Sequence, residues 1–197
     1  MANDFRSARF WARELIEAAM FEGAHAIDAT MGNGHDTQWL CELAGENGHV
    51  DAFDVQQDAV DRTRARPAEA GLDGRASLYC IGHEKMGEVV HEAADTIVFN
   101  LGWLPGAEHG VTTLTQTTLQ AVNAALELLK EDGVMTVCIY PGHAEGTREK
   151  HALIEWAQQL DERCYDAMLK SYLNQSNDPP LMLAIRKKLT KKKKQEG

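Results

Sequence analysis

The sequence predicts an α/β protein, a three-layer sandwich in which helices cover both faces of a mostly parallel seven-stranded sheet. Two observations carry this prediction. Strand-like apolar runs alternate with amphipathic helical stretches over most of the 197 residues, which is typical of right-handed β-α-β units. At the end of the chain two strand-like runs follow each other with only a turn between them, so the sheet is expected to close with an antiparallel hairpin strand.

The individual elements follow from periodicity and from stop signals. Apolar residues spaced three to four apart predict helices, and short apolar runs predict strands. The run Glu131-Asp132-Gly133 is expected to end the longest helix, because glycine is favoured just past a helix end. In chain order the predicted elements are helix 5–21, strand 26–30, helix 37–44, strand 49–53, helix 57–70, strand 76–81, a short segment 84–91, strand 96–99, helix 114–129, strand 134–139, helix 149–160, strand 164–172, a turn at 174–180 and strand 181–186.

Charge is distributed unevenly along the chain. There are 20 Lys and Arg residues against 30 Asp and Glu residues, a net charge of −10, and seven of the bases lie after residue 185. An acidic body with a basic tail is not the profile of a general nucleic-acid coat protein, although the tail could contact phosphates. No apolar run approaches the roughly 20 residues that cross a bilayer. We expect one domain over residues 1–186 and a basic, disordered tail over 187–197.

The cysteines predict a reducing compartment. Cys41, Cys80, Cys138 and Cys164 stand apart without a C-x-x-C pair, which favours four buried thiols over disulfides or a zinc site. The N-terminus has charges among its apolar positions and lacks a signal-peptide pattern. We therefore expect a cytoplasmic protein without a metal site.

The most informative motif is the run AIDATMGNGHD, residues 26–36. An apolar run ends in Asp28, a Gly-x-Gly turn follows at Gly32 and Gly34, and a helical stretch begins after it. The glycines let the backbone approach a ligand, and the helix N-terminus offers free N–H groups. Twenty residues after Gly34 a second apolar run ends in Asp54, whose two oxygens can accept hydrogen bonds from ribose hydroxyls. The pattern predicts a site for an adenosine-containing cofactor.

Two cofactors compete for this loop. The dinucleotide-binding motif G-x-G-x-x-G has a third glycine at the position where this chain has Thr37, and the Asp36 carboxylate would repel a pyrophosphate. S-adenosylmethionine has no phosphate and carries a sulfonium, an ammonium and a carboxylate, so acidic residues near the loop are tolerated. Asp28 or Asp36 could take the ammonium and Asp54 the ribose. The loop favours S-adenosylmethionine; turn glycines and helix-capping acids without a ligand are the alternative.

A second motif, IVFNLGWLPG, begins at Ile97. Its apolar strand delivers Asn100 to the carboxyl end of the sheet, where ligands bind in open α/β folds, and Trp103 follows three residues later. In N-methyltransferases the comparable motif is Asn/Asp-Pro-Pro-aromatic, whose amide oxygen holds the target amino group while the aromatic ring packs on the substrate. Leu101 and Gly102 replace the two prolines here, so the match is partial. A turn asparagine and a core tryptophan are the alternative interpretation.

Histidines recur where functional groups are expected. His83 and Glu84 follow the third predicted strand, the segment from Tyr140 to His143 follows the fifth, and His35 lies in the loop. A lone histidine is more often structural, and the spacing lacks the cues of a metal site. We predict no metal ligands.

Taken together, these motifs resemble one family. The runs DATMGNGHDT, AFDVQ, GHE, NLGWLPG, YPGHAEG and LNQSNDPP are similar, in this order, to those of the YtqB/MnmM-type family, from about residue 10 to residue 186. The resemblance implies a class I methyltransferase fold that uses S-adenosylmethionine. It also implies methylation of the aminomethyl nitrogen of 5-aminomethyl-2-thiouridine at the tRNA wobble position. Trp103 stands where the family usually has tyrosine.

The resemblance also implies roles for individual residues. Asn100 would orient the amine, Trp103 could stack on the uracil ring, and His143 is the candidate base, with Tyr140 and bulk water as alternatives. The predicted substrate-side residues are Asn100, Trp103, Tyr140 and His143, and the predicted cofactor contacts are Asp28, Thr30, Gly32, Asn33, Gly34, His35, Asp36, Asp54, Gln56, His83, Glu84 and Asn100.

The partner expected from this resemblance is tRNA, through its anticodon stem-loop. Ribosomal RNA, a small amine and a non-catalytic nucleotide-binding module are the alternatives that the residues leave open. A homodimer through the N-terminal helix or the closing hairpin is a further prediction, and no membrane partner is expected.

Overall fold

The computed structural model describes residues 7–69, 72, 74–102 and 112–189, and these form the predicted sandwich. Seven strands make one sheet in the order β3-β2-β1-β4-β5-β7-β6, which confirms the predicted class I methyltransferase arrangement. A single 3₁₀ turn, His83–Lys85, precedes α4. In chain order the elements are α1 Ala8–Ala19, β1 His25–Asp28, α2 His35–Ala44, β2 His49–Phe53, α3 Gln57–Glu69, β3 Ala76–Tyr79, α4 Met86–Val89, β4 Ala94–Asn100, α5 Thr115–Leu128, β5 Leu129–Ile139, α6 Ala144–Gln158, β6 Tyr165–Lys170 and β7 Leu181–Lys187.

Strand direction determines at which edge of the sheet ligands can bind. Strands β1 to β5 pair in parallel, while β7 lies antiparallel between β5 and β6. The carboxyl ends of the five parallel strands therefore meet at the same edge, where ligands bind in open α/β sheets. The β6–β7 turn reaches that edge too, because β7 begins opposite Ile139, the last residue of β5.

Alternate strand residues supply the two halves of the core. Ile27 and Ile97 face the layer that contains α4, α5 and α6, whereas Ala26 and Val98 face α1 and α2. This alternation follows from the two-residue period of a strand. Both faces of the central strands are buried, which is why they read as continuous apolar runs.

One predicted stop signal is used differently. Helix α5 ends at Leu128, and β5 starts immediately at Leu129. Between their Ala94–Leu129 and Thr96–Val134 pairs, β4 advances two residues while β5 advances five, and Asp132 has a positive φ of 67°. The Glu131-Asp132-Gly133 run is therefore an irregular segment of a strand, because the pairing with β4 begins before the glycine.

The four buried thiols predicted from the sequence were wrong for two cysteines. Cys41 and Cys138 are buried, but Cys80 and Cys164 are exposed. β3 ends at Tyr79 and β6 begins at Tyr165, so both exposed thiols lie just outside the strands that were expected to bury them.

The C-terminal strand continues one residue past the predicted domain end. The Lys187 ammonium donates hydrogen bonds to the carbonyl oxygens of Leu126 at 3.0 Å and Leu129 at 2.7 Å. The first lysine of the basic run thus ties β7 to the end of α5. Among the residues described, no helix has the length and apolar character needed to cross a membrane.

A histidine–carboxylate cluster joins β1, β2 and β3. Nε2 of His25 donates to Asp51 over 2.7 Å, and the Tyr79 hydroxyl donates to the same carboxylate over 3.1 Å. Burial alone would lower the pKa of His25, but the hydrogen bond and negative charge of Asp51 outweigh it and raise that pKa. The cluster is therefore most stable when His25 is charged.

We expect this cluster to make stability pH-dependent. Relative to His25→Gln, the wild-type free energy of unfolding should be highest below about pH 6.5, the ordinary histidine pKa. It should fall as the pH rises through the raised pKa of folded His25, because the folded state binds that proton more tightly than the unfolded state. Urea unfolding between pH 5.5 and 9 measures the difference. His91→Gln, at an exposed position, is the control; a His25→Gln curve that stays parallel to wild type would contradict the assignment.

Candidate functional site

A cavity of about 950 Å³ opens at the carboxyl edge of the parallel strands. Its wall is built by the segments that follow β1, β2, β3, β4 and β5 and by the β6–β7 turn. Predicted site residues on this wall are Thr30, Gly32, Asn33, His35, Asp36, Asp54, Gln56, His83, Glu84, Asn100, Tyr140 and His143. Asp28 and Gly34 do not line it, and Trp103 lies outside the described residues.

Side chains of α3 fix the shape of the loop after β1. The Thr63 hydroxyl of α3 donates to the Gly32 carbonyl over 3.1 Å, and Nε of Arg66 donates to the Asn33 carbonyl over 2.8 Å. Gly34 has a φ of 78°, and a Cβ there would lie 2.8 Å from the Cα of Thr63. Gly34 therefore serves the packing of loop against α3, which is why it lies behind the cavity wall.

Asp28 supports the loop from beneath. Its side chain is buried and accepts hydrogen bonds from the Thr37 hydroxyl at 2.7 Å and from the Thr30 N–H at 3.2 Å. Burial, and then the nearby charge of Asp36, raise the pKa of Asp28 to about 7. The carboxyl predicted to take an ammonium thus lies under the cavity floor and is engaged by the protein itself.

Asp54 joins the loop to the end of β2. One carboxylate oxygen accepts from the Gly32 N–H at 3.1 Å, and the other accepts from the Gln56 N–H at 2.9 Å. The carboxylate still lines the cavity. Because each carboxylate oxygen has two lone pairs, one remains on each oxygen for the two hydroxyls of a ribose.

His83 is fixed in the neutral state at the end of β3. Burial lowers its pKa, and its Nδ1 lies 3.2 Å from the Ala29 carbonyl. The carbonyl can only accept, so Nδ1 carries the proton and Nε2 keeps a lone pair. The His83 ring, whose centroid lies 5.7 Å from that of the Phe99 ring, therefore presents a neutral surface to the cavity.

The acceptor corner of the cavity, defined here by Arg9, Asp36, Asn100 and Tyr140, centres on one carboxylate. Asp36 Oδ1 accepts from Nη2 of Arg9 at 2.7 Å and from Nη2 of Arg13 at 2.6 Å, and Oδ2 accepts from the Asn100 amide at 2.8 Å. Burial alone would raise the pKa of Asp36, but the two arginines outweigh it and lower that pKa. The carboxylate predicted to take an ammonium is therefore ionised and already accepts hydrogen bonds from three side chains.

This arrangement orients the Asn100 side chain. A carboxylate can only accept hydrogen bonds, so the NH₂ group of Asn100 must face Asp36. The amide oxygen of Asn100 consequently points away from Asp36, and the residue lines the cavity. The Asn100 N–H donates to the Thr30 hydroxyl at 2.7 Å, which ties the end of β4 to the loop after β1.

The turn after β5 is committed to starting α6. Nδ1 of His143 accepts from the Gly146 N–H at 3.2 Å as the helix N-cap. A neutral imidazole with Nδ1 accepting carries its proton on Nε2, so the Nδ1 lone pair of His143 is used in the cap. Burial raises the pKa of Tyr140 to about 12, which keeps its phenol protonated at neutral pH.

Sequence reasoning missed a buried anchor beside this corner. Glu149 accepts from the hydroxyls of Thr118 at 2.6 Å and Thr113 at 2.9 Å, and the Thr113 hydroxyl accepts from the Gly102 N–H at 2.9 Å. Burial raises the pKa of Glu149. Gly102 and Thr113 are thereby joined to each other and to α6. A glutamate within a helix gives no sequence signal for this role.

The arginines of α1 and the β6–β7 turn were also absent from the predicted site. Arg9 and Arg13 are four residues apart and so share a helix face, but the sequence does not reveal their partner on α2. The turn adds Gln175 and Asn177 to the cavity wall, together with Asp178, which pairs with Lys150 of α6 at 2.8 Å. Among the residues described, no group of three His, Cys, Asp or Glu side chains could hold a metal ion.

Similarity to known proteins agrees with this geometry. Residues 50–186 match the family described as "Putative rRNA methylase". A chloroplastic tRNA (mnm⁵s²U34)-methyltransferase of Arabidopsis thaliana is 37% identical over 148 residues, which are 70% of this chain and 54% of that protein. The chain thus spans about half the length of this curated relative.

Solved structures cover the chain more completely. A "putative rRNA-methylase" from Clostridium thermocellum is 34% identical with a TM-score of 0.90, covering 93% of this chain and 98% of its own. A "putative methyltransferase" from Streptococcus mutans, solved in complex with SAH, is 33% identical with a TM-score of 0.84, covering 93% of this chain and 99% of its own. The resemblance found in the motifs is confirmed: the chain belongs to the rRNA methylase family and has the class I Rossmann-like fold.

Proposed function

We propose that this protein is an S-adenosylmethionine-dependent N-methyltransferase of tRNA. Its acceptor would be the aminomethyl nitrogen of 5-aminomethyl-2-thiouridine at the wobble position. One observation carries the proposal: Asp36 binds the NH₂ group of Asn100, so the amide oxygen of Asn100 is left as a hydrogen-bond acceptor beside the cofactor loop. The activity of the Arabidopsis thaliana relative supports the choice of tRNA.

The residues on the cofactor side fit S-adenosylmethionine. Asp54 has lone pairs free for ribose hydroxyls, and His83 is a neutral surface. Arg62 and Arg66 of α3 lie next to the loop and donate hydrogen bonds to the side-chain oxygen and the backbone carbonyl of Asn33. When bound, S-adenosylmethionine supplies a methyl carbon made electrophilic by the positively charged sulfur. A cavity of about 950 Å³ is at the upper end of ligand sites and leaves room for an acceptor nucleoside as well.

The acceptor side fits an amine. A neutral primary amine has two N–H bonds and one lone pair, so a hydrogen bond to the Asn100 oxygen fixes one N–H and leaves the lone pair free to react. The amide cannot rotate to present its NH₂ group without losing the Asp36 hydrogen bond. Asn100 would therefore select a donor, and an amine is a donor that is also a nucleophile.

Proton removal is best assigned to water. An aliphatic ammonium with a pKa of about 10 must lose a proton before it can react. His143 uses its Nδ1 lone pair in the helix cap, and the Tyr140 phenol has a pKa of about 12. We propose that the ammonium gives its proton to bulk water at the acceptor corner, the third of the alternatives drawn from the sequence.

Methyl transfer to tRNA tests the proposal directly. With labelled S-adenosylmethionine and tRNA from cells that lack this activity, nucleoside mass spectrometry should show 5-aminomethyl-2-thiouridine converted to its methylaminomethyl form. Asn100→Ala should lower kcat by about 10²-fold or more, a larger effect than any loss of cofactor affinity, because the lost amide oxygen orients the acceptor. Asn123→Ala, on the exposed side of α5, is the matched control.

Two outcomes would contradict this function. Transfer to ribosomal RNA or to a small amine, with none to tRNA, would keep the cofactor and replace the substrate. Tight cofactor binding without transfer to any of the three would favour a non-catalytic nucleotide-binding module.

Cofactor binding gives a second prediction. Asp54→Ala should weaken S-adenosylhomocysteine binding by about a hundredfold or more, since two hydrogen bonds to ribose are lost and each hydrogen bond to a charged group contributes roughly 1.5–3 kcal/mol. Isothermal titration calorimetry measures this, with thermal unfolding as the check on folding. Asp58→Ala, at an exposed position on α3, should bind as wild type. Unchanged affinity in Asp54→Ala would remove the ribose role.

Two finer assignments belong to the same proposal. The lack of paired cysteines in the sequence supports action in the cytoplasm. A homodimer through α1 or the β6–β7 hairpin stays a prediction, for which sedimentation of the purified protein is the measurement.

A further inference from the structure

Arg9 lies on the cavity wall, although the proposed function assigns it no role. It belongs to α1, before the first strand, yet its side chain reaches the cavity wall next to Asn100. Both side chains bind the same Asp36 carboxylate, Arg9 at Oδ1 and Asn100 at Oδ2. The guanidinium and the amide are therefore separated only by the width of one carboxylate group.

Arg9 differs from its neighbour Arg13 in what it faces. Arg13 also binds Asp36, but its guanidinium lies over the Trp39 ring, 4.5 Å from the centroid, and does not line this cavity. The Arg9 side chain is 42% exposed and lines the cavity. The chain thus offers two arginines on one carboxylate, only one of which faces the ligand space.

The acceptor corner carries net positive charge. Two guanidiniums meet the single negative charge of Asp36, which leaves one positive charge uncompensated within this group. Asp28 contributes at most part of a negative charge, because burial raises its pKa to about 7. The titratable or charged groups on all sides of the corner and along the cavity are Arg9, Arg13, Asp28, His35, Asp36, Cys138, Tyr140 and His143, with Asp54, Arg66, His83 and Glu84 on the cofactor side and Asp178 in the β6–β7 turn.

Groups in the cavity already respond to this charge. The pKa of His35 is lowered first by burial and then by the positive charges of Arg66 and Arg9. For Tyr140, burial dominates and raises the pKa, Cys138 and Asp36 act in the same direction, and Arg9 acts against them more strongly than Asp36 acts with them. In both cases Arg9 favours loss of a proton from a group that lines the cavity.

We propose that Arg9 is part of the acceptor site and that its guanidinium favours the uncharged, nucleophilic form of the acceptor amine held by Asn100. This inference rests on the proposed function and deepens it. A fixed cation disfavours a second positive charge nearby and so lowers the pKa of an ammonium. The ammonium gives one proton to water, and its freed lone pair forms the new N–C bond as the bond between the methyl carbon and sulfur breaks.

The pH dependence of transfer tests this role. Single-turnover rates with tRNA that bears 5-aminomethyl-2-thiouridine are measured from pH 6 to 9.5 for wild type, Arg9→Gln, Arg9→Lys and Arg13→Gln. In the pH–rate profile of Arg9→Gln, the acidic limb should lie about one pH unit higher than in wild type. The rate at pH 7 should therefore be about tenfold lower, and it should recover at high pH. Arg9→Lys keeps the positive charge and should keep the wild-type limb. Arg13→Gln should shift the limb less than Arg9→Gln, whatever it does to the maximal rate.

A second measurement reads the charge without the reaction. Histidine NMR titration, with His35 assigned through His35→Gln, should give a higher pKa for His35 in Arg9→Gln than in wild type. An unmoved His35, a loss of rate that is equal at every pH, or equal limb shifts in the two arginine variants would each overturn the proposal. A wild-type protein that transfers no methyl to this tRNA would instead overturn the proposed function, and the amine role of Arg9 with it.

Discussion

The site depends on how the Asp36 carboxylate is compensated. An ionised carboxylate removed from water costs several kcal/mol unless donors replace its hydration. Arg9, Arg13 and Asn100 supply those donors, each from a different part of the chain than Asp36 itself. The same contacts tie α1 to the start of α2 and set the direction of the Asn100 amide. The position of the N-terminal helix and the shape of the acceptor corner therefore depend on one carboxylate.

The acids of the cofactor loop divide into structural and available groups. Asp28 is buried beneath the loop and Asp36 is hydrogen-bonded by three side chains, so neither carboxylate is available for an ammonium in the way that their spacing had indicated. Asp54 keeps unused lone pairs on the cavity wall. Asp28 and Asp36 therefore give the loop its shape, and Asp54 is left to recognise the ligand. This division also explains why a loop rich in acids need not present high negative charge.

The sequence was sufficient for what depends on local pattern. The order of the elements, two strand ends to within two residues (30 predicted and Asp28 found, 99 predicted and Asn100 found) and the closing hairpin all follow from periodicity and residue type. It was insufficient where a long-range contact decides the role: Arg9 and Glu149 look like ordinary helix residues until the fold brings Asp36 and Thr113 close to them. His143 was expected to be a base, whereas it caps α6. The Glu131-Asp132-Gly133 run misled for the same reason, since pairing with β4 outweighed its local preference to end a helix.

An acceptor site without a dedicated base has a definite energetic problem. An amine with a pKa of about 10 is free in only about one molecule in 10³ at pH 7, which adds about 4 kcal/mol to the barrier. A residue base recovers this only if its own pKa lies near 7 and its lone pair is available, and neither His143 nor Tyr140 meets both conditions. A fixed cation recovers about 1.4 kcal/mol for each unit by which it lowers the amine pKa, and it needs no reorganisation during the reaction. Asp36 holds such a cation in place, so the carboxylate that aims Asn100 also sets the charge beside it.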